Sequence, residues 1–322
     1  YIYKRNFEKH TKCYILINGG LLVHARVLDI LLDRYKLNIL NSDEEVLAIS
    51  RGNVKKKDYI KVGDIVKVEN IENEFVITDV EKRKNDYIRP PVSNIDYMFI
   101  VIAVGSPKPD FLLLDKQIIT AEYSNSVPII VVNKTDLENA DEISSYVLNT
   151  YTKLGYTVIL TNTKNDKLVN ENDFRNIPQG SLCAFSGNSG VGKSSIISKI
   201  KENIASLEIN SISEKTGRGR HTTKAVSTYT VLNNDNKEIY FLDTPGFSNY
   251  DIFNISSKEL KNYFHEFNEF TCEYLDCNHI NEDLSCCSIK KNVQSGNIDS
   301  LRYEHYVKIY QELLNKEKKL YK

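Results

Sequence analysis

The run Gly187-Asn188-Ser189-Gly190-Val191-Gly192-Lys193-Ser194 constrains this chain more than any other feature. It fits G-x-x-x-x-G-K-[ST] and lies between an apolar segment, residues 182–185, and a stretch carrying Ile196, Ile197 and Ile200. A strand, a glycine loop and a helix in that order wrap backbone N–H groups around a phosphate chain. Glycines allow close approach and positive φ, and the helix N-terminus faces the anion. Lys193 is placed to reach the β- and γ-phosphates, Ser194 to ligate Mg²⁺, and Ser195 follows in the same first turn. Such a loop belongs to a parallel α/β sheet. Apolar runs at 98–104, 127–132, 157–160, 181–186 and 238–242 read as its buried strands, with helices over 115–124 and from Lys193.

Asn133-Lys134-Thr135-Asp136 directly follows the 127–132 strand. N-K-x-D at a strand end reads guanine. The Asp136 carboxylate can accept from N1–H and the exocyclic amine, a pair that adenine does not present. Asn133 can donate to the base edge, and the Lys134 stem can cover the ring. Asp243-Thr244-Pro245-Gly246 (D-x-x-G) follows the 238–242 strand. Asp243 then sits where a Mg²⁺ hydration-shell carboxylate belongs, and the Gly246 N–H where the γ-phosphate is sensed. In ordinary GTPases N-K-x-D comes last; here it precedes the phosphate loop, which implies a circularly permuted G domain. Thr161-Asn162-Thr163 would supply the final base-contacting loop. D-x-x-G then leads straight into the C-terminal region, so a γ-phosphate signal at Gly246 can move residues 252–322. Between the two phosphate motifs lies Thr216-Gly217-Arg218-Gly219-Arg220-His221-Thr222-Thr223-Lys224. A threonine there should complete the Mg²⁺ shell; Thr223 is favoured, with Thr222 close behind. The segment reads either as a flexible charged loop or, as favoured here, as a basic switch that orders on binding and touches RNA. After D-x-x-G stands Phe247, which cannot orient the attacking water. Slow intrinsic hydrolysis is expected, with His221 as the candidate water-orienting group.

Residues 1–90 are β-rich, with short runs at 13–18, 21–27, 46–49, 64–68 and 75–80 and turns at Asn18-Gly19-Gly20 and Val62-Gly63-Asp64. Five short strands suit a barrel of the oligonucleotide-binding (OB) type. Lys+Arg number 42 and Asp+Glu 43, so no global field draws nucleic acid and any such contact must be local. The local candidate is Arg51, Lys55, Lys56, Lys57, Lys61 and Lys67, a phosphate-backbone contact or simply a solvated loop. Pro90-Pro91 marks a boundary. Residues 252–322 read as helical and polar, with Tyr306, Val307, Tyr310, Leu313 and Leu314 forming one apolar stripe. This gives three domains, 1–90, 91–251 and 252–322. Cys272, Cys277 and His279, followed by Cys286 and Cys287, form a closed Cys₃His zinc shell in which one of the adjacent cysteines is the fourth ligand. The zinc would stabilise a helical region without a large core of its own. No apolar run approaches the roughly 18 residues of a membrane span. Tyr1–His10 is charged and polar, unlike a secretory leader, and the chain begins without Met, as if a few residues had been trimmed.

Together these motifs, with Arg89-Pro90 and Asn94-x-Asp96, resemble the bacterial ribosome small-subunit-dependent GTPase A family over nearly the whole chain. The resemblance implies an OB barrel, a circularly permuted P-loop G domain and a helical zinc-binding domain. It implies a cytoplasmic enzyme, expected to be monomeric, that binds the 30S subunit and 16S rRNA late in maturation. There it would hydrolyse GTP to GDP and phosphate, faster than alone, with Mg²⁺ and Zn²⁺ as cofactors and with His221, Thr223, Lys193 and Gly246 at the reacting phosphates. The family's Cys-small-hydrophobic pattern fits Cys287-Ser288-Ile289, which makes Cys287 the fourth zinc ligand. A GTP-regulated RNA-binding scaffold with little catalytic role is the alternative, and intact Lys193, Ser194 and Asp243 argue against it. N-K-x-D argues against a P-loop kinase or ATPase.

Overall fold

The computed structural model describes residues 15–17, 20–51, 59–138, 140–164, 168–208, 226–243 and 255–320. They fall into two compact units. One draws on Tyr1–Met98, Asn170–Phe185 and Ser194–Phe247, the other on Phe99–Val169, Ser186–Lys193 and Ser248–Lys322.

The first unit contains the barrel. Strands β2 (Gly20–Ile30), β3 (Tyr35–Ile39), β4 (Glu45–Ser50), β5 (Ile65–Ile71) and β6 (Glu74–Val80) follow the order β2-β3-β4-β6-β5, and β5 returns to β2 to close a five-stranded ring. The long β2 makes closure possible: Leu22–Arg26 pairs with β5 and Ala25–Ile30 with β3, with an irregularity between Val27 and Asp29. Alternation puts Val23, Ala25, Val27, Leu37, Ile39, Val66, Val68 and Ile77 into one apolar core. The ring agrees with the five-stranded expectation, but its membership differs. β1 (Ile15–Ile17) only pairs along β2, and β3, with Lys36 and Asn38 alternating against apolar neighbours, takes the place in the ring. Gly63 turns the corner into β5 at φ +93°, and a Cβ there would stand 1.9 Å from the Ser93 carbonyl oxygen. The neighbouring Asp64 is fully buried and accepts from Arg83 Nε (2.7 Å) and Nη2 (2.8 Å) and from Ser93 Oγ (2.5 Å). Asp96 accepts from Arg26 Nη2 (3.0 Å), Lys84 Nζ (2.6 Å) and Leu182 N (2.7 Å), so Asn94-x-Asp96 joins the ring to β10 (Leu182–Ser186). β10 pairs in parallel with β12 (Glu238–Leu242), whose other edge carries the antiparallel β11 (Thr228–Leu232). β11 is absent from the sequence reading because only Val231 of its five residues is buried, so no apolar run marks it.

The second unit carries β7 (Tyr97–Ala103) from Phe99 onward, then β8 (Val127–Asn133) and β9 (Thr157–Leu160), in the order β7-β8-β9. Helix α1 (Phe111–Tyr123) begins four residues before the expected start, because the Asp110 carboxylate caps it by accepting from Leu113 N at 2.9 Å. Helix α2 (Ala140–Val147) runs on as a π-helical turn, Leu148–Thr152. Helices α3 (Glu171–Phe174) and α4 (Lys193–Glu208) come next in the chain, and the described C-terminal part holds two 3₁₀ turns (Leu260–Tyr263 and His265–Glu269) and the helices α5 (Ser288–Gln294) and α6 (Ser300–Leu320). Phe264, Phe267, Ile289, Tyr306, Ile309 and Leu313 form its core with Cys277 and Cys287. The buried stripe of α6 is Arg302, His305, Tyr306, Ile309 and Leu313, which corrects the expected one: Val307, Tyr310 and Leu314 lie at its margin. The region's apolar core is shared with α1, which contributes Ile119 and packs Leu112 against it. Among the described residues no helix is long and apolar enough to cross a membrane.

Candidate nucleotide site and cysteine cluster

In the second unit the phosphate loop is held by backbone fit and by the N-K-x-D residues. Gly187 has φ +132°, and a Cβ would lie 2.2 Å from the Val101 carbonyl oxygen, so only glycine lets the loop leave the sheet there. Gly192 has φ +101° and would drive a Cβ to 2.1 Å from Asn133 Nδ2. Asn133 is 1% exposed; its amide donates to the Val191 carbonyl at 2.8 Å and its Oδ1 has no partner among the described residues. The amide foreseen as a base reader therefore also acts as a strut under the phosphate loop. Lys134, at φ +64°, donates from Nζ to the carbonyls of Gly190 (2.8 Å) and Ser106. Asp136 pairs with Lys164 at 3.3 Å. Thr135 Oγ1 donates to Thr161 O at 3.0 Å and accepts from Asn162 Nδ2 at 3.4 Å, which brings the two predicted base-contacting segments together. Lys193 is buried, and Nζ donates to the carbonyls of Gly187 (2.6 Å) and Asn188 (2.7 Å); burial pushes its ammonium pKa down. An ammonium held only by neutral carbonyls is readily re-paired with phosphate oxygens.

In the first unit Ser194 is exposed in the first turn of α4. Asp243 directly follows β12, its N–H donating to Ser227 O at 2.9 Å, and its carboxylate is paired with Lys201 of α4. A hydroxyl and a carboxylate are hard oxygen donors of the kind Mg²⁺ selects. Lys201 was not foreseen, since a lysine on an exposed helix face carries no signal in sequence. His221, Thr222, Thr223, Gly246, Phe247 and Lys55–57 lie outside the described residues. Of the other basic barrel residues, Arg51 pairs with Glu69 (3.7 Å), Lys67 with Asp79 (3.1 Å) and Lys61 with Asp86, so this part of the basic stretch is already neutralised.

A family model described as RsgA GTPase matches residues 80–253, which span all three nucleotide motifs. The chain belongs to the RsgA GTPase family. A relative from Caldanaerobacter subterraneus subsp. tengcongensis, named "Small ribosomal subunit biogenesis GTPase RsgA", is 39% identical over 277 residues, 85% of this chain and 90% of its own. A Thermotoga maritima relative of the same name is 36% identical over 280 residues, 86% and 92% of the two chains. Among solved structures, YjeQ from Thermotoga maritima matches at a TM-score of 0.73 and 30% identity, covering 91% of this chain and 99% of that one. YloQ, described as a circularly permuted GTPase, matches in fold at 0.72 with 24% identity, covering 92% and 96%. This RsgA-family chain is thus a GTPase, with GTP as substrate and the permuted motif order its sequence displays.

The cysteine cluster lies wholly in the second unit. His279 Nδ1 is 3.5 Å from Cys272 Sγ, 3.2 Å from Cys277 Sγ and 3.5 Å from Cys287 Sγ, and Cys272 Sγ is 3.9 Å from Cys287 Sγ. All four ligand atoms fall within 4.8 Å of one another. Tetrahedral Zn²⁺ with ordinary bond lengths requires S···S edges of about 3.8 Å and S···N edges of about 3.6 Å, so the group is compatible with zinc. Cys286 Sγ lies instead 3.5 Å from Ser285 Oγ. Burial pushes the Cys277 thiol up to about 12 and the His279 imidazole down to about 4, which keeps the imidazole in its neutral, metal-binding form. The turn bearing His279 (φ +60°) is clamped by Glu282 and Tyr303, which the sequence did not mark, and by Tyr306, which it marked only as part of an apolar stripe. Glu282 accepts from Asn278 N (2.7 Å) and Ile280 N (2.8 Å), and the Tyr303 and Tyr306 hydroxyls donate to the carbonyls of His279 (2.7 Å) and Asn278 (2.6 Å).

Proposed function

We propose that this GTPase acts on the small ribosomal subunit late in its assembly, binding the 30S particle and its 16S rRNA and hydrolysing GTP to GDP and phosphate faster there than alone. The observation that carries this reading is the shared name of relatives 36–39% identical over 85–87% of the chain. Asp136 reads the guanine edge once Lys164 yields it, Asn133 sets the loop, and residues 187–195 cradle the phosphates with Lys193 on the β- and γ-oxygens. Ser194 and Thr223 would hold Mg²⁺, with Asp243 serving its hydration shell, and the ion would supply positive charge against those oxygens. Gly246 senses the γ-phosphate. Phe247 leaves water orientation to His221 in the basic switch, which rRNA would order. The working domains are 1–90, 91–251 and 252–322. Cys272, Cys277, His279 and Cys287 hold a structural Zn²⁺, a reading supported by their mutual distances. The protein works as a cytoplasmic monomer, where ribosomal subunits mature.

The test is GTP turnover alone and with purified 30S subunits, with ATP as control. Slow, GTP-only turnover that rises strongly with 30S supports the proposal. GTP turnover unmoved by 30S removes the ribosome from it, and tight 30S binding with no turnover would favour the scaffold reading.

A further inference from the structure

One charged residue at the nucleotide motifs has no assigned part in them. Lys201 lies two turns beyond Ser194 on α4, and its Nζ donates to Asp243 Oδ1, the carboxylate of D-x-x-G. The same ammonium stands 4.6 Å from the centroid of the Tyr229 ring on β11. Lys201 thus has two stations in reach, a carboxylate and an aromatic face, and both attract a cation. The side chains are 34% and 45% exposed, so the pair is screened and can exchange.

We propose that Lys201 is a resident counter-ion of Asp243 that competes with magnesium for this carboxylate, setting how much Mg²⁺ the enzyme needs to hold nucleotide tightly. This rests on the reading of Asp243 as the carboxylate that serves Mg²⁺. A carboxylate that hydrogen-bonds the water shell of a divalent ion cannot also hold an ammonium against that ion's charge. Mg²⁺ therefore enters at the cost of the Lys201 contact, and the ammonium is left on the Tyr229 face. The lysine spares Asp243 an unpaired charge and raises the Mg²⁺ concentration at which the site fills. It is a positioning residue: it touches neither phosphate nor metal and acts through Asp243 alone.

The experiment measures the affinity of the full chain for a fluorescent GDP analogue across a Mg²⁺ titration. Lys201→Met keeps the aliphatic stem over Tyr229 and removes only the charge. It should reach the half-maximal Mg²⁺ effect at about two- to fivefold lower Mg²⁺, the range a screened ion pair supports. Lys201→Arg should keep the wild-type midpoint. Asp243→Asn should shift the Mg²⁺ dependence by itself, and adding Lys201→Met to it should change nothing more. A thermal melt of each variant, matching wild type, shows that folding is intact. A Lys201→Met midpoint equal to wild type, with Asp243→Asn shifted, overturns the competition and leaves the Asp243 reading in place. An Asp243→Asn midpoint equal to wild type overturns both.

Discussion

Replacing Arg302 with Met should be among the most destabilising single changes in the C-terminal region. Arg302 heads the fully buried side chains by volume and carries a full charge. Its Nε and Nη2 donate to the two oxygens of Glu266 at 2.5 and 3.2 Å, and its Nη1 donates to Asp115. The guanidinium lies 5.2 Å from the Tyr151 ring and 5.0 Å from the Phe264 ring. Met fills the volume but leaves two carboxylates behind, with side chains 0% and 8% exposed. Asp115 retains Tyr151 OH at 2.8 Å and His305 Nδ1 at 2.6 Å, whereas Glu266 loses both bonds from Arg302. Breaking a buried pair by removing one partner costs about 3–5 kcal/mol. At 2–4 °C per kcal/mol for a unit of this size, the melting point should fall by roughly 6–20 °C. Urea unfolding followed by tyrosine fluorescence suits a chain with 20 Tyr and no Trp. Arg302→Met combined with Glu266→Gln should recover part of the loss, since the orphaned charge is then gone. A loss under about 1 kcal/mol for Arg302→Met, the scale of a surface change, would refute the reasoning.

Gly187→Ala should weaken GTP binding by about two orders of magnitude or more, because the new methyl meets the Val101 carbonyl and the loop must move off the phosphates; calorimetric titration giving wild-type affinity would contradict this. Purified protein should carry one zinc per chain, and Cys272→Ala should lose it along with thermal stability; full metal content and an unchanged melt would defeat the cluster's assignment. The hydrogen bond from His265 Nε2 to Glu122 at 2.8 Å raises the His265 pKa above 6.5. Its contribution is therefore fully present below about pH 6.5 and is lost as pH rises through the folded value. The pair is part-exposed, so it is worth under about 1 kcal/mol. Urea midpoints of wild type and His265→Gln should converge between pH 6 and 9, and a constant gap would sink the assignment.

What the sequence made legible was local. The phosphate loop, N-K-x-D and the strands before them are contiguous patterns whose chemistry requires their spacing, and the structure brings 133–136, 161–164 and the loop together. Less legible was whatever depends on a distant partner. Arg302 and His305 belong to the buried stripe of α6 only because Asp115, some 190 residues earlier, pairs its two carboxylate oxygens with them. A reading that counts apolar residues places them at the surface. β3 and β11 hid for a related reason: their alternating polar positions make sense only once neighbouring strands are in place. Lys201 was invisible because a cation on a helix shows nothing of the carboxylate it meets.

The closed ring bears on how the N-terminal part can be recognised. A β-strand with a free edge offers a row of unpaired amides and carbonyls to any passing chain, and many modules capture peptides that way. β2 is paired on both sides, with β1 and β3 along one edge and β5 along the other, so its backbone is spent within the barrel. A partner arriving there reads side chains and turns rather than adding a strand.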